Sequence, residues 1–333
     1  MGVQLTQLVK GQPIELADLF DKTIAIDSFN WIYQFLSIIR QMDGTPLQDS
    51  RGRVTSHMSG LFYRSLKLME NGIRLVYVFD GAPPKIKAVG EQRKTARQEA
   101  MEEWKKALDK GDNIAAKKYA MRSSTITDEI IEGSKRLLEA MGIPVVQAPS
   151  EGEAMCAYMC KKGDVYSVGT QDYDALLFGA PRLTKNLSIT GKRAGDKVLP
   201  ELIVLDRLLK EMQLTREQLI AMSIIIGTDY NPGGVPGYGP KKAFERVKEK
   251  KTFDKIFADL IWDFPAQPEE IYDFFINPPV CEYQLKWKPI NLEKVKKIMC
   301  SEHNFSEERI ENAVNKLKDS KKPQSSLGRF AKN

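Results

Sequence analysis

The sequence predicts an α/β protein: a central, mostly parallel sheet with helices on both faces, a protruding helical cap and a helix-hairpin-helix. Three observations lead there. Short apolar runs at 23–26, 74–79 and 165–168 alternate with segments of helical periodicity, the pattern of parallel strands joined by crossover helices. Each run is followed within a few residues by an acid, at Asp27, at Asp80 and at the pair Asp172 and Asp174. Ligands of such sheets bind outside the carboxyl ends of the strands. From 85 to about 122 the pattern turns basic, helix-rich and poor in large apolar residues, as a solvated helical excursion does.

A chain of 333 residues can bury a large core as one extended domain or two. Charged residues at 28% and apolar ones at 42% are ordinary for a soluble globular protein, and the net charge of +6 matters only if it gathers on one surface. Four cysteines with no CxxC pair, and two histidines, argue against a zinc site or a disulfide framework, so a catalytic metal must be held by carboxylates. The longest apolar run, 220–226, is too short for a membrane span, and no signal peptide is expected. Met1 to Thr6 matches the myristoylation pattern, but nothing nearby supplies a second anchor. An intracellular protein that binds no membrane is expected.

In chain order, the run at 23–26 leads into helical periodicity over 29–40, a polar loop at 44–53 and a helix over 59–70 stopped by Asn71-Gly72. The run at 74–79 ends at Gly81-Ala82-Pro83-Pro84, a hard stop. After the basic excursion comes an amphipathic helix over 127–141, and Gly142-Ile143-Pro144 leads into the next strand. Beyond 178, strands are expected at 182–187 and near 198–205. Helices are expected at 208–212, 216–226, 241–248, 253–260, 268–275, 292–300 and 306–317, and a polar tail closes the chain.

The centre of the sequence is the stretch 149–178, where Glu151 and Glu153 open a helix and a loop then delivers Asp172 and Asp174. Ser150-x-x-Glu153 also reads as a capping box, which would give the Glu pair a purely structural use. Asp172 and Asp174 have no such use, and lack the ligand pattern of a calcium loop. Four hard oxygen donors so close together repel one another and suit Mg²⁺ or Mn²⁺. Asp229 adds a fifth carboxylate at the end of a very apolar helix, where it opposes the helix dipole unless a cation is near. Just beyond, Gly237 and Gly239 allow close backbone approach, and Lys241 and Lys242 stand at the start of a helix. That combination reads as the hairpin of a helix-hairpin-helix, a phosphate-backbone reader blind to base sequence.

The stretches IAIDSFNWIYQF, TSHMSGLFYR, VFDGAPP, MGIPVVQAPSEGEA, TQDYDALLFG and GTDYNPGGVPGYGPKKA stand in this order over residues 1–318. In them the chain resembles the flap endonucleases, structure-specific 5′ nucleases of DNA replication and repair, and most closely their archaeal branch. The resemblance implies an enzyme that removes 5′ flaps from branched duplex DNA by two-metal-ion hydrolysis, leaving 5′-phosphate and 3′-hydroxyl ends, with 5′–3′ exonuclease activity beside it. It implies two Mg²⁺, with Mn²⁺ able to substitute, on Asp27, Asp80, Glu151, Glu153, Asp172, Asp174 and Asp229. It also implies Lys87 and Lys94 at the scissile phosphate, although the family has arginine at the second position and Arg93 is adjacent. Tyr33 matches the aromatic that stacks a base, with an ordinary core tyrosine as the alternative.

By the same resemblance, 1–318 is a single 5′-nuclease domain with a helical gateway and cap at 85–125 and a helix-hairpin-helix DNA-binding region at 221–260. The loop 41–57 corresponds to the part that wedges the junction and takes a 3′ flap. Met42, Pro46 and Leu47 are its candidate apolar wedge, and Thr55 and Ser56 its candidate DNA contacts. In the tail, 319–333, Gln324, Leu327 and Phe330 have the anchor spacing of a peptide that binds the replication sliding clamp (PCNA), but Ala331 stands where a second aromatic would be. A monomer is expected, cytoplasmic and nucleoid-associated if archaeal, nuclear in a eukaryote. An RNA nuclease of a related acid-cluster fold and a non-catalytic junction-binding clamp partner are the alternative readings.

Overall fold

Val76 and Val78 face one side of the strand Arg74–Phe79, while Leu75, Tyr77 and Phe79 face the other, and all five are buried. A strand apolar on both faces needs cover on both sides, and the molecule supplies it as two helical layers. The structure is a computed structural model that describes residues 3–87, 89–189, 192–193 and 196–320. The side chains of Arg93 and Lys94, and the peptide with Gln324, Leu327 and Phe330, lie outside the described residues.

Along the chain, β1 (Gln12–Pro13) and β2 (Thr23–Asp27) precede α1 (Ser28–Ile38), α2 (Ser56–Glu70) and β3 (Arg74–Phe79). The excursion is α3 (Val89–Asp109) and α4 (Asn113–Arg122). There follow α5 (Asp128–Ala140), β4 (Val145–Gln147), α6 (Gly152–Lys162), β5 (Ser167–Gly169), α7 (Asp174–Leu177) and β6 (Arg182–Lys185). A small hairpin of β7 (Lys192–Arg193) and β8 (Asp196–Lys197) leads to β9 (Glu201–Val204) and α8 (Leu205–Met212). The remainder is α9 (Arg216–Ile226), α10 (Pro240–Lys250), α11 (Phe253–Phe257), α12 (Pro268–Ile276), α13 (Leu292–Lys296) and α14 (Glu307–Ser320). One π turn, Lys297–Ser301, continues α13.

The main sheet has seven strands in the order β1-β9-β6-β5-β2-β3-β4. β6, β5, β2, β3 and β4 run parallel, and β9 and β1 close one edge antiparallel. One face packs against a cluster that includes Met155 and Met159 of α6, Ile220 and Ile224 of α9, and Phe275 of α12. The other packs against Ile32 and Leu36 of α1, Leu61 of α2, Leu137 of α5 and Ile310 of α14. The mostly parallel sheet with helices on both faces is as the sequence predicts.

The basic excursion is a helical pair packed through small residues: Ala100, Ala107, Ala116 and Ala120 are buried. That explains its lack of large apolar residues. Asp112 caps α4 by accepting from Ala115 N–H (3.0 Å), and the Trp104 indole donates to Asp43 O (3.3 Å), tying the pair to the loop after α1.

Several boundaries differ from expectation. β6 stops at Lys185 because Asn186 takes φ +63, which a strand cannot continue. The strand expected near 198–205 is the shorter β9, and α8 begins at once with Leu205. Two-residue strands such as β1 have no period to detect.

Candidate active site

Asp27 is the last residue of β2 and the N-cap of α1, and it accepts from Asn30 N–H (3.2 Å) and the Thr170 hydroxyl (3.3 Å). Asp80 follows β3 and accepts from Gly152 N–H (2.8 Å). Glycine suits that approach, since a Cβ on residue 152 would lie 2.6 Å from Asp80 Oδ1 and push the carboxylate aside. Asp172, in the loop after β5, accepts from the Asn30 side-chain amide (3.1 Å). Asp174 opens α7 and accepts from Val3 N–H (2.9 Å), so the N-terminal segment helps to fix it.

Glu151 is the N-cap of α6, with Glu153 in its first turn. The capping box expected of Ser150 and Glu153 does not form: the α6 N-cap has no side-chain bond, and the buried Ser150 hydroxyl has no partner. Glu151 instead accepts from Lys87 Nζ at 2.7 and 3.0 Å. Glu153 Oε1 is sealed from solvent and finds no hydrogen-bond donor.

Asp229 is three residues beyond α9, not within its last turn, because Gly227 ends the helix at φ +115. The turn is shaped by Asn231, fully buried, whose side chain accepts from Thr228 N–H (3.1 Å) and donates to Ile224 O (2.6 Å).

The seven carboxylates share one electrostatic field. Burial, then Asp80 and Asp172, holds Asp27 well above the usual carboxylate range. Burial, then Glu151 and Asp229, lifts Asp80 to about 6. Asp174 is lifted to about 7 by burial, then by Asp229 and Asp172. Glu153 is raised by burial, then by Asp174, Asp27 and Asp172. Lys87 would be lowered by its burial, but Glu151 outweighs that and holds its ammonium above the ordinary value.

Among the described residues no three His, Cys, Asp or Glu side chains close into a ready-made metal cage. Asp27, Asp80, Asp172, Asp174 and Glu151 are instead turned onto the donors just named. The chemistry of the donor set still fits a hard divalent cation: buried, mutually repelling oxygens, one of them without any partner.

Tyr33 is half-buried on α1, one turn from Asn30, with the Arg97 guanidinium 5.8 Å from its ring centroid. It therefore touches the first helix of the excursion. Met42, the first of the three candidate wedge residues, is 85% exposed, while Pro46 and Leu47 are half-buried.

Thr55 and Ser56 depart from expectation. Both are buried, and the Ser56 hydroxyl donates to Ile39 O (2.6 Å) and accepts from Leu47 N–H (2.9 Å). Ser56 thus pins the loop to α1 and offers no surface contact. The resemblance marked both as DNA contacts, but here the partners of Ser56 are Ile39 and Leu47.

The second surface is the turn between α9 and α10. Gly237 takes φ +80 and is exposed, Gly239 caps α10 ahead of Pro240, and a Cβ at either would meet nothing within 4 Å. Lys241 and Lys242 are exposed at the same end. A free helix start, open backbone and two ammonium groups suit phosphate oxygens. Asn30, Thr170 and Asn231 are the site residues that sequence reasoning missed. Their only signal was a place within two or three residues of a carboxylate.

The chain matches the XPG N-terminal domain over residues 1–101 and the XPG I-region over 142–229. It is 53% identical over 330 residues to flap endonuclease 1 of Pyrococcus horikoshii, covering 96% of this chain and 94% of that one. To flap endonuclease 1 of Hyperthermus butylicus it is 50% identical, again over 96% and 94%. Among solved structures, flap endonuclease-1 from Methanococcus jannaschii is similar with a TM-score of 0.77 at 40% identity, covering 96% of this chain and 98% of that one. The catalytic core of Rad2 in complex with DNA substrate is similar with a TM-score of 0.70 at 26% identity, over 92% and 96%. With its acids gathered at the carboxyl end of the sheet and relatives this similar along nearly its whole length, the chain belongs to the flap endonuclease family, in its archaeal branch.

Proposed function

We propose that this flap endonuclease removes 5′ flaps from branched DNA with two divalent cations, Mg²⁺ or Mn²⁺, held on Asp27, Asp80, Glu151, Glu153, Asp172, Asp174 and Asp229. The observation that carries the assignment is Glu153 Oε1, buried without a donor in the field of Asp174, Asp27 and Asp172. Ions bound there would activate water and neutralise charge on the scissile phosphate and leaving oxygen.

The chain's own residues do the rest. Asn30, Thr170 and Asn231 orient carboxylates or their turns. Lys87 keeps a fixed positive charge at the edge of the centre, where it opposes negative charge developing on phosphate. Lys94 or Arg93, on α3 just beyond Lys87, supplies a second cation. Tyr33 offers a stacking face to the base at the cut. Gly237, Gly239, Lys241 and Lys242 hold duplex phosphates without reading sequence.

In this reading 1–318 acts as one nuclease domain, with the α3–α4 pair admitting a single-stranded 5′ end. Gln324, Leu327 and Phe330 engage the sliding clamp, weakly because Ala331 removes one anchor. The enzyme works as a monomer in the cytoplasm, at the nucleoid. Among the described residues no helix is long and apolar enough to cross a membrane.

A labelled 5′-flap duplex, incubated with Mg²⁺ and then with EDTA, tests the assignment. Mg²⁺-dependent cuts near the junction, with 5′-phosphate on the shortened strand, are expected. Undiminished cutting in EDTA, or an intact flap in Mg²⁺, would overturn it. The clamp contact is read by calorimetry of the 319–333 peptide against the clamp, where no heat at high micromolar peptide would exclude it.

A further inference from the structure

The acidic centre lies where the parallel strands end; a second concave site lies where one of them begins. The turn between α5 and β4, the segment 284–291 and α13 line an open cavity of about 790 Å³. Its lining carries Arg136, Lys286, Lys288, Lys294 and Lys297 against one carboxylate, Glu139. Arg136 is already paired with Glu302 at 2.8 Å, and Lys297 feels the same carboxylate. Lys286, Lys288 and Lys294 are exposed and take no ion pair among the described residues. Their neighbour Lys296 is different: it is held by Glu307 and by Glu311 at 2.9 Å.

The walls are fixed by the backbone. Lys288 N–H donates to Gly142 O (3.0 Å), Asn291 N–H to Ala140 O (2.9 Å), and the Trp287 indole to Leu75 O (2.9 Å). The segment is pressed so close that a Cβ on residue 142 would lie 2.0 Å from Lys288 O. Lys286 and Lys288 both line the cavity, and Lys294 and Lys297, three apart, share a helical face. Like charges thus line one pre-formed space, and a polyanion would relieve their repulsion.

We propose that this cavity binds the phosphodiester backbone of single-stranded nucleic acid, at a site separate from the acidic centre and from the α9–α10 hairpin. Lysines act as point charges on phosphate and do not read bases. The cavity falls in the size range of roughly 300–1,000 Å³ that holds ligands of several linked groups, well beyond a lone phosphate. Walls on three elements admit one flexible strand more readily than a duplex. An acidic peptide would meet the same charges, but an enzyme that acts on flaps carries single strand in tow at high effective concentration.

The test uses the full-length enzyme in EDTA, saturated with flap duplex so that the other surfaces are occupied. The probe is a fluorescent oligothymidine of about 12 nucleotides, within the span such grooves cover. Its anisotropy should rise on adding the saturated complex. Lys286→Gln, Lys288→Gln and Lys294→Gln together should weaken this binding at least tenfold at unchanged melting temperature. The slope of log affinity against log salt should fall by roughly 2, since each single-strand phosphate contact contributes about 0.7. If the triple variant fails to fold, Lys288→Gln and Lys294→Gln are read singly, each lowering the slope by about 0.7. No binding to the saturated complex, or equal affinity and slope in the variants, would overturn the proposal. So would polyglutamate binding more tightly than the oligothymidine with the same dependence on these lysines, which would assign the cavity to an acidic protein.

Discussion

Glu153 Oε1 has no donor, and Asp174, Asp27 and Asp172 all raise the cost of its charge. Lys87 meets Glu151 on the other flank of the same helix start, and its positive charge is secured by that contact. Removing a cation aimed at developing charge costs rate rather than affinity. Lys87→Ala should therefore slow single-turnover cleavage by roughly 10²–10³-fold with the flap-DNA dissociation constant nearly unchanged. An equal loss in binding and in rate would move Lys87 out of the active site and onto the DNA track. The candidate carboxylates stood out in the sequence because they follow a strand, crowd one another or, for Asp229, close an apolar helix against its dipole. Asn30 and Asn231 did not, since a side-chain amide that orients a neighbour leaves no periodic trace. Ser56 misled for the complementary reason: its partners, Ile39 and Leu47, lie 17 and 9 residues away.

At the scale of elements, the α9–α10 turn and the α5–β4 turn carry separable predictions. If Lys241 and Lys242 each meet a duplex phosphate, Lys241→Ala with Lys242→Ala should lower the salt slope by about 1.8, at about 0.9 per contact on B-form DNA. Titrations at several salt concentrations decide it, and an unchanged slope removes both lysines from the interface. At the other turn, Gly142 holds φ +74 with Lys288 O pressed against the place a side chain would need. Gly142→Ala should destabilise the protein by about 2–4 kcal/mol in urea unfolding, through backbone strain and displacement of segment 284–291. A change within about 0.5 kcal/mol, the scale of ordinary surface substitutions, would show that the segment moves aside freely. Long helices were legible in their periods and the buried strands as short apolar runs. The alanine-packed pair α3–α4 was legible only as a helical excursion, since small residues give a weak apolar face.

For the whole molecule, gathering acids at one end of the sheet has a measurable consequence. Asp80 titrates at about 6 and Asp174 at about 7, and Asp27 and Glu153 are raised as well. Between about pH 4, where unfolded carboxylates release their protons, and about 7, the folded chain binds more protons than the unfolded one. The stability these groups contribute is complete below that window and is lost as pH rises through 6 and 7 in metal-free enzyme. The melting temperature in EDTA should therefore fall across this range, and Mg²⁺ should restore it most at the alkaline end. A flat profile in EDTA would contradict the shared field. The fold was predictable because strand order, crossover helices and terminal acids follow from one arrangement of apolar runs. The cavity beside β4 was not, since its cations come from 136, 286–288 and 294–297 and meet only in three dimensions.

The central claim, that the seven carboxylates form one cation-binding centre, is tested most directly by counting Mn²⁺ bound at equilibrium near neutral pH. Wild-type enzyme should bind two ions per chain. Asp174→Ala should lose at least one of them while still binding flap DNA, because removing negative charge does not weaken contacts to phosphate. Two ions bound by Asp174→Ala with wild-type affinity, or none bound by the wild type, would contradict the account.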